Sequence, residues 1–568
     1  MRKINFLMCL HCHQPADNFE RTFEGAYNRS YEPFVAVLER HPEIKISIHY
    51  SGSILEWLVK NKPDFVDRIK KLLNEGRVEI ISGGYFEPIL PMIPPRDAKG
   101  QIEMLDRLIE TRFRSSARGI WIAERVWDPR IVPSIFSGLN ARYAVLDDFH
   151  LRQAGVKDED VFGYYSVRGA NNFFIFASVK KLRYAMPFRE PEVTVDFLKS
   201  LSENPRARCV TFADDGEKFG FWPYTYDWVY KRGWLENFFT KIEKNDWIKT
   251  LTFTEALRET ECLGEVDVPR SSYDEMVQWS GGDFDNFFKK YPESDLMRRR
   301  MLYVSRMLEE REAVIAEKAV PRDEEGLIQA LEEARKEVYK SQSNCAYWHG
   351  VFSGVYASYL RQGIYKHIIK ADDLLREKVA DEEIEMIDLS DPGEKTCSSD
   401  SKNESGPGGA CGKKSIICAR NKFLTLFLDP DYAGTIFEID YKPIPFNLVN
   451  TMSRRFEPYH NILKRRNKID MERLGGEVKK DQIIDLYEIL GVKERKPIRF
   501  LSYDSYRKFS LICHAMSPKT SFAAFTRSAH ADLSEGSLLG SYNHEVKDEK
   551  DRLVINLQRD ATVRLISG

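Results

Sequence analysis

No apolar run in this sequence approaches the roughly 20 residues that cross a bilayer, which leaves no candidate for a membrane-spanning helix. An excess of one charge is also missing, because 85 basic residues stand against 87 acidic ones for a net charge of -2. Nucleic acid therefore has no electrostatic footing as the main partner, and a neutral or small polar substrate stays open. Cysteine is scarce: the nine present are an odd number, scattered, and several sit in apolar runs, which argues for buried free thiols over a disulfide framework. No strand leads into a GxGxxG turn, and the chain shows no internal repeat. Its start, "MRKINFLMCLHCHQP", imitates an export signal but runs out in His, Gln and Pro, so it reads as the first buried strand of a cytoplasmic protein.

A length of 568 residues favours two to four domains. From Lys3 to about residue 255, short apolar runs alternate with amphipathic stretches: "INFLMCLH", "KISIHYS", "RVEIIS", "ARGIWIAE", "RYAVLDD", "NFFIFAS", "RCVTFADD" and "WIKTLTF". Between them lie helical patterns such as "PDFVDRIKKLLNEG". About seven such units predict a closed β/α barrel, assigned to residues 1–289. Residues 290–389 read as a helical subdomain completing the active site, with Met297, Met301, Val304 and Leu308, then Leu327, Leu331, Ala334 and Val338, at helical spacing. The Ser/Gly-rich stretch 390–415 reads as a flexible linker. Residues 416–568 carry short strands without intervening helices and predict an antiparallel β-sandwich domain.

Polar residues collect where the barrel strands end: "HCHQP", "SGGYFEPILP", "ERVWDP", "DDFH" and "DDGEKFG". Barrel active sites are assembled from those loops, so the five are expected to converge on one pocket; singly, each is also consistent with a capping or turn role. Two carboxylate motifs stand out, Glu124 in "WIAERVW" and the aspartates of "ADDGEKFG". Glycoside cleavage needs such a pair, one to protonate the departing oxygen and one to attack the sugar or activate water. A rim salt bridge between Glu124 and Arg125 is the alternative. Trp121, Trp127, Phe221, Trp222 and Tyr224 are expected to offer ring faces to a sugar. In "CVTFADD", Cys209, Thr211, Ala213 and Asp215 share one strand face and Val210, Phe212 and Asp214 the other, which points Asp215 into the barrel. The same count places Glu124 with Ile120 and Ile122, so the regular strand must end before it.

"CLHCH" matches the attachment pattern of c-type haem, but cysteines an odd number apart on a strand face opposite ways. His11 and His13 share a face and could ligate a metal with Asp147, Asp148, His150 or Asp215, in the manner of a polysaccharide deacetylase or α-mannosidase type barrel; contacts within a sugar pocket are the preferred account. "DDGEKFG" lacks the phosphate-loop pattern, and its acidic cluster repels phosphate. "NCAYWHGVFSGVYASYLRQ", Asn344 to Gln362, reads as aromatic packing in a helical context.

Taken in order, "HCHQP", "GGYFEPILP", "WIAERVW", "DDGEKFGFWP", "SSYDEMVQW" and "CAYWHGVFSGVY" closely resemble glycoside hydrolase family 57, in its 4-α-glucanotransferase and α-amylase branch. The resemblance implies a seven-stranded barrel, a helical subdomain and a C-terminal β-sandwich, here expected to be shortened. It implies retaining chemistry on α-1,4-glucan or maltooligosaccharide donors and acceptors, with no cofactor or metal. It makes Glu124 the nucleophile and Asp215 the acid/base, and places His13, Trp121, Glu217, Trp222 and Trp348, with His11, Glu79 and Glu87, in or around the sugar pocket. Transfer is expected over hydrolysis, in the cytoplasm, with no membrane or nucleic-acid partner; a homodimer is compatible with the sequence. A metal-dependent deacetylase-like hydrolase and a non-catalytic glucan-binding protein are the alternatives from other classes.

Overall fold

A computed structural model of the chain describes residues 2–130, 132–170, 172–318, 325–376, 383–390, 415–461, 501–504, 506–512, 521, 523, 541–549 and 552–559. Ten strands occupy the N-terminal region: β1 (Ile4–Cys12), β2 (Ile46–Tyr50), β3 (Val78–Gly83), β4 (Gly119–Trp121), β5 (Tyr143–Asp147), β6 (Tyr164–Val167), β7 (Phe174–Ser178), β8 (Cys209–Asp215), β9 (Ile248–Thr250) and β10 (Glu265–Val266). Seven of them, β8-β1-β2-β3-β4-β5-β7, run parallel side by side, and Ser178 pairing with Thr211 joins β7 back to β8. The sheet thus closes into the expected barrel. The remaining three attach outside the ring, β9 along β1, β6 antiparallel to β7, and β10 on β6.

The connecting helices follow from local pattern. In Pro63–Asn74 a proline opens the first turn, Asp64 faces the positive helix end, and Phe65, Val66, Ile69 and Leu72 are buried on one stripe. Inside the barrel, Leu7, Cys9, Ile81, Trp121, Tyr143, Val145, Phe176, Cys209 and Ala213 pack with Leu251, Phe253 and Ala256. Burial of this apolar lumen, at about 25 cal/mol per Å², holds the strands in register, and it puts Cys209 and Ala213 on the inner face that Asp215 shares.

Two compact units divide the chain. Residues 1–290 and 342–354 belong to the first, so "NCAYWHG" is part of the barrel unit. It is not the continuous helix expected: short 3-10 turns cover Asn344–Ala346 and Gly354–Tyr356, with loop between them, before the helix Ser358–Leu375. Gly354 explains the break, having φ of 52° and a hydrogen where a Cβ would stand 2.1 Å from the Trp348 carbonyl oxygen.

The second unit holds the helices Pro292–Lys318, Glu325–Ser341 and Ser358–Leu375. Met297, Met301, Val304, Leu308, Ala334 and Val338 are buried as their spacing predicts, whereas Leu327 is 42 % exposed. Its sheet is antiparallel, β11 (Glu383–Asp388), β12 (Ser415–Arg420), β13 (Leu424–Asp429), β14 (Thr435–Tyr441) and β15 (Phe446–Asn447), with a separate hairpin of β16 (Asn543–Glu549) and β17 (Arg552–Gln558). β11 lies within the stretch expected to be helical. Alternation decides for strand: Ile387 and Leu389 enter a core with Ile416, Cys418, Phe427 and Phe437. The linker expected at 390–415 lies, for 391–414, outside the described residues.

Candidate active site

Strand register brings the first groups together. On β1, His11 stands level with His49 of β2 and with Asp215 of β8, so three adjacent strands present these side chains at one height near their carboxyl ends. Gly83 at the end of β3 makes room: a Cβ there would stand 2.7 Å from His49 Nε2. Trp121, the last residue of β4, lies flat on the His11 ring, with centroids 4.5 Å apart and planes 8° from parallel.

Glu124 enters the same space by leaving the strand. β4 stops at Trp121, and Glu124 and Arg125 have left-handed backbones, with φ of 50° and 49°. The end of regular strand that parity requires is therefore present. Two consecutive non-glycine residues in this region cost about 1–2 kcal/mol each, and the surroundings hold them there. His150 Nε2 donates to the Arg125 carbonyl at 3.0 Å, the Ser272 hydroxyl donates to the Glu124 carbonyl at 2.6 Å, and an Arg125 guanidinium nitrogen donates to the Ala213 carbonyl at 2.9 Å. Glu87 also has a positive φ, 55°, and such strain gathers at functional sites. The carboxylate of Glu124 accepts a 2.8 Å hydrogen bond from the Tyr273 hydroxyl.

The two aspartates of β8 have opposite surroundings. Asp214 is ion-paired to Lys218 and lies 3.8 Å from Arg125. Burial raises its pKa, but Lys218, Arg183 and Arg125 override that and hold the carboxyl below its usual range. Asp214→Asn would leave three buried cations facing a neutral amide, and breaking a buried pair costs about 3–5 kcal/mol. The expected outcome is a large fall in melting temperature, read by calorimetry. Asp215 is raised to about 6, by burial and then by the charge of Asp214. Glu124 is raised to about 7, by burial, with the Tyr273 hydrogen bond opposing and Asp215 adding to the rise. The charge of Asp215 thus acts on Glu124, and both carboxyls hold a proton closer to neutrality than an ordinary carboxyl does.

Around the pair, Glu217 accepts hydrogen bonds from the His13 amide at 3.1 Å, Gln14 at 3.3 Å and the Tyr31 hydroxyl, and burial followed by Asp215 pushes it up to about 7. His13 shares a 2.9 Å hydrogen bond with Ser51 and faces the Cys345 sulfur at 3.5 Å; burial keeps its imidazole neutral, down to about 3. Glu87 is bolted to the same loop, its carbonyl accepting from the Asn344 amide at 3.1 Å and side chain at 2.6 Å. Trp348 donates to Asn344 at 2.9 Å and stacks on Trp279. Trp222 meets Phe352 edge-on at 5.4 Å, and Phe352 is 48 % exposed.

Several expected positions are corrected. Glu79 is the second residue of β3, at the end of the barrel opposite the strand termini, and accepts from Tyr143, Ser47 and Thr254 instead of facing the pocket. Trp127 is fully buried and donates to the Val268 carbonyl, so its ring packs and does not meet a sugar. One face of Trp121 is covered by His11, and the Arg125 guanidinium lies 5.0 Å from its ring. Tyr224, by contrast, is 66 % exposed. Tyr273, Ser272, His49 and Arg125 were not singled out from sequence as site residues; only the motif "SSYDEMVQW" hinted at the first two.

Of the metal set expected as an alternative, Asp147 pairs with Arg183, Asp148 with Arg152 and His150 with the Arg125 carbonyl, and among the described residues neither His13 nor Asp215 joins a cluster of three ligand atoms. A different trio does come together, with ligand atoms of His11, His49 and Glu87 within 4.8 Å of one another. Their geometry fits an ion poorly. The two Nδ1 atoms are 2.8 Å apart and share one proton, so in neutral rings only one Nε2 is left as a lone pair. While that contact holds, the trio offers a metal one imidazole nitrogen instead of two. Burial keeps both rings neutral, His49 down to about 3, and raises Glu87 far above the usual carboxyl range.

The closed barrel agrees with the comparisons to known proteins. Residues 2–269 match Glycosyl hydrolase family 57, and residues 282–375 and 411–566 match the middle and C-terminal domains described for alpha-amylase/4-alpha-glucanotransferase. A 4-alpha-glucanotransferase of Thermococcus litoralis is 36% identical over 493 residues, 81% of this chain and 68% of that protein. The chain belongs to glycosyl hydrolase family 57. An alpha-amylase of Pyrococcus abyssi is 33% identical over 578 residues, 96% of this chain and 80% of that protein. The crystal structure of the Thermococcus litoralis 4-alpha-glucanotransferase superposes with a TM-score of 0.79 at 32% identity, covering 100% of this chain and 81% of that one. Among the described residues of this family 57 chain, no helix is long and apolar enough to cross a membrane.

Proposed function

We propose that the protein is a retaining 4-α-glucanotransferase acting on α-1,4-glucans and maltooligosaccharides. One observation carries the reading: a carboxyl turned inward on a strained backbone after β4 shares a buried space with a carboxyl on the inner face of β8, burial raises both, and the charge of Asp215 adds to the rise of Glu124. Glu124 attacks the anomeric carbon while protonated Asp215 gives its proton to the departing glycosidic oxygen, leaving a covalent glucosyl-enzyme. Asp215 then takes the proton of an incoming glucan hydroxyl as that oxygen displaces Glu124. His13, Glu217, Trp222 and Trp348 line or support the sugar pocket, and Glu87, His11 and His49 brace the strand ends beside it. We place the enzyme in the cytoplasm, a reading supported by the buried free thiols Cys9, Cys12, Cys209 and Cys418.

Hydrolysis by the same site, an α-amylase activity, is the second reading, favoured by the alpha-amylase of Pyrococcus abyssi that aligns with 96% of the chain. Incubation of the protein with maltotriose separates the two. A ladder of longer and shorter oligomers at constant reducing-end count is expected, unchanged by a chelator; steadily rising reducing ends would establish the amylase instead. Loss of all activity with the chelator would return the metal-dependent reading.

A further inference from the structure

The carboxylate of Glu124 is held asymmetrically. Oε2 accepts from the Tyr273 hydroxyl at 2.8 Å, while Oε1 has no hydrogen-bond partner among the described residues. Tyr273 is 8 % exposed and its placement is over-determined. Ser271, two residues earlier, exchanges backbone hydrogen bonds of 2.8 and 3.0 Å with Trp127, three residues beyond Glu124, and Ser272 grips the Glu124 carbonyl. The guanidinium of Arg125 lies 5.3 Å from the Tyr273 ring and that of Arg183 5.6 Å from it, and Trp279 meets it edge-on. Arg183 is fixed in turn by Glu275 and Asp147, both at 3.0 Å.

We propose that Tyr273 is a catalytic residue of the transfer reaction, leaving Oε1 of Glu124 as the attacking oxygen and stabilising the carboxylate when it departs in the second step. The inference rests on Glu124 being the nucleophile. In the first step the Oε1–C1 bond forms as the C1–glycosidic oxygen bond breaks, the leaving oxygen takes the Asp215 proton, and the negative charge on Glu124 is consumed. The second step reverses this: the acceptor oxygen, losing its proton to Asp215, bonds to C1, and the electron pair of the Oε1–C1 bond returns to Glu124. A hydrogen bond to Oε2 strengthens as that charge returns, so it favours the second transition state over the glucosyl-enzyme that precedes it. Burial and the charge of Glu124 raise the phenol far above its ordinary pKa, which keeps Tyr273 a donor throughout.

Tyr273→Phe keeps the ring between its two guanidiniums and removes only the donor. Resolution of the glucosyl-enzyme is expected to slow roughly 10- to 100-fold, the range for losing a hydrogen bond to a charged group. With α-maltotriosyl fluoride as donor, the variant should then accumulate the maltotriosyl adduct of Glu124, seen by intact mass spectrometry after acid quench. The acid limb of its kcat/KM profile should also move upward, because the bond lowers the pKa of Glu124. Incorporation of 3-fluorotyrosine at position 273, a stronger donor, should move that limb downward. A turnover within twofold of native overturns the proposal, as does a loss with neither adduct nor shifted limb, which would mark a structural role. Glu124→Gln run alongside separates the failures: if it stays active, the nucleophile is wrong, and if it is dead while Tyr273→Phe is normal, only Tyr273 is.

Discussion

Glu124→Gln is expected to reduce glucan transfer on the order of 10⁴-fold, the scale seen when a member of a catalytic group is removed, while leaving the protein folded. The amide is isosteric and its oxygen still accepts from Tyr273, so the strained turn at Glu124 and Arg125 keeps its brace. It cannot form the covalent ester, and no neighbour substitutes: Glu217 is engaged with His13, Gln14 and Tyr31, and Glu87 stands against the imidazoles of His11 and His49. The stability effect has a definite sign. Glu124 in the folded protein titrates at about 7, above the ordinary glutamate value, so its contribution is fully present below that ordinary value and is lost as pH rises through 7. Gln carries no such loss, and the variant should gain on native protein as pH increases. Melting temperatures between pH 5 and 9, with maltotriose disproportionation at each pH, check both halves. Activity near native would remove Glu124 from the mechanism.

What could be read from the chain divides along a physical line. Asp215 was legible because β8 stays regular to its last residue: side chains alternate, Cys209 and Ala213 enter the lumen, and Asp215 follows them. Glu124 defeats the same count, since its inward turn comes from two left-handed residues that are not glycine, and nothing in "AERV" announces them. The barrel itself was visible in the alternation of short apolar runs and amphipathic stretches. Glu79 was misplaced because a strand's residues divide between its two ends as well as its two faces, and only the ends carrying the loops build a pocket. His49 sat unmarked in "KISIHYS", where pairing with His11 depends on the β1–β2 register. Tyr273 lies 149 residues beyond Glu124, and it reaches that carboxylate through a bridge between Trp127 and Ser271 that no local pattern encodes.

Asp215→Asn should lower glucan turnover about 10²–10⁴-fold, the usual value of general acid–base assistance, but its defect should depend on the leaving group. A glucan's departing oxygen needs a proton. Fluoride does not, so an α-maltotriosyl fluoride donor should load Glu124 at a rate much closer to native and stall before the second step, where Asp215 would have acted as base. Azide needs no base, and added azide should release the stalled enzyme as the α-glycosyl azide. Asp214 serves as the contrast. Its charge is spent on Lys218, Arg183 and Arg125, so Asp214→Asn should fail by unfolding and be indifferent to leaving group and azide alike. The pH profile adds a second signature. Burial and Asp214 raise Asp215 to about 6, burial and the charge of Asp215 raise Glu124 to about 7, and the productive form carries one proton, on Asp215, with Glu124 ionised. Asn cannot ionise, so in the residual turnover of a glucan donor, whose departing oxygen needs the proton, the alkaline limb of kcat/KM should vanish. Without the Asp215 charge the pKa of Glu124 falls, and the acid limb should move downward. An alkaline limb that survives Asp215→Asn would assign the proton donor to another group, and Glu217, pushed up to about 7 beside it, would be the group to test.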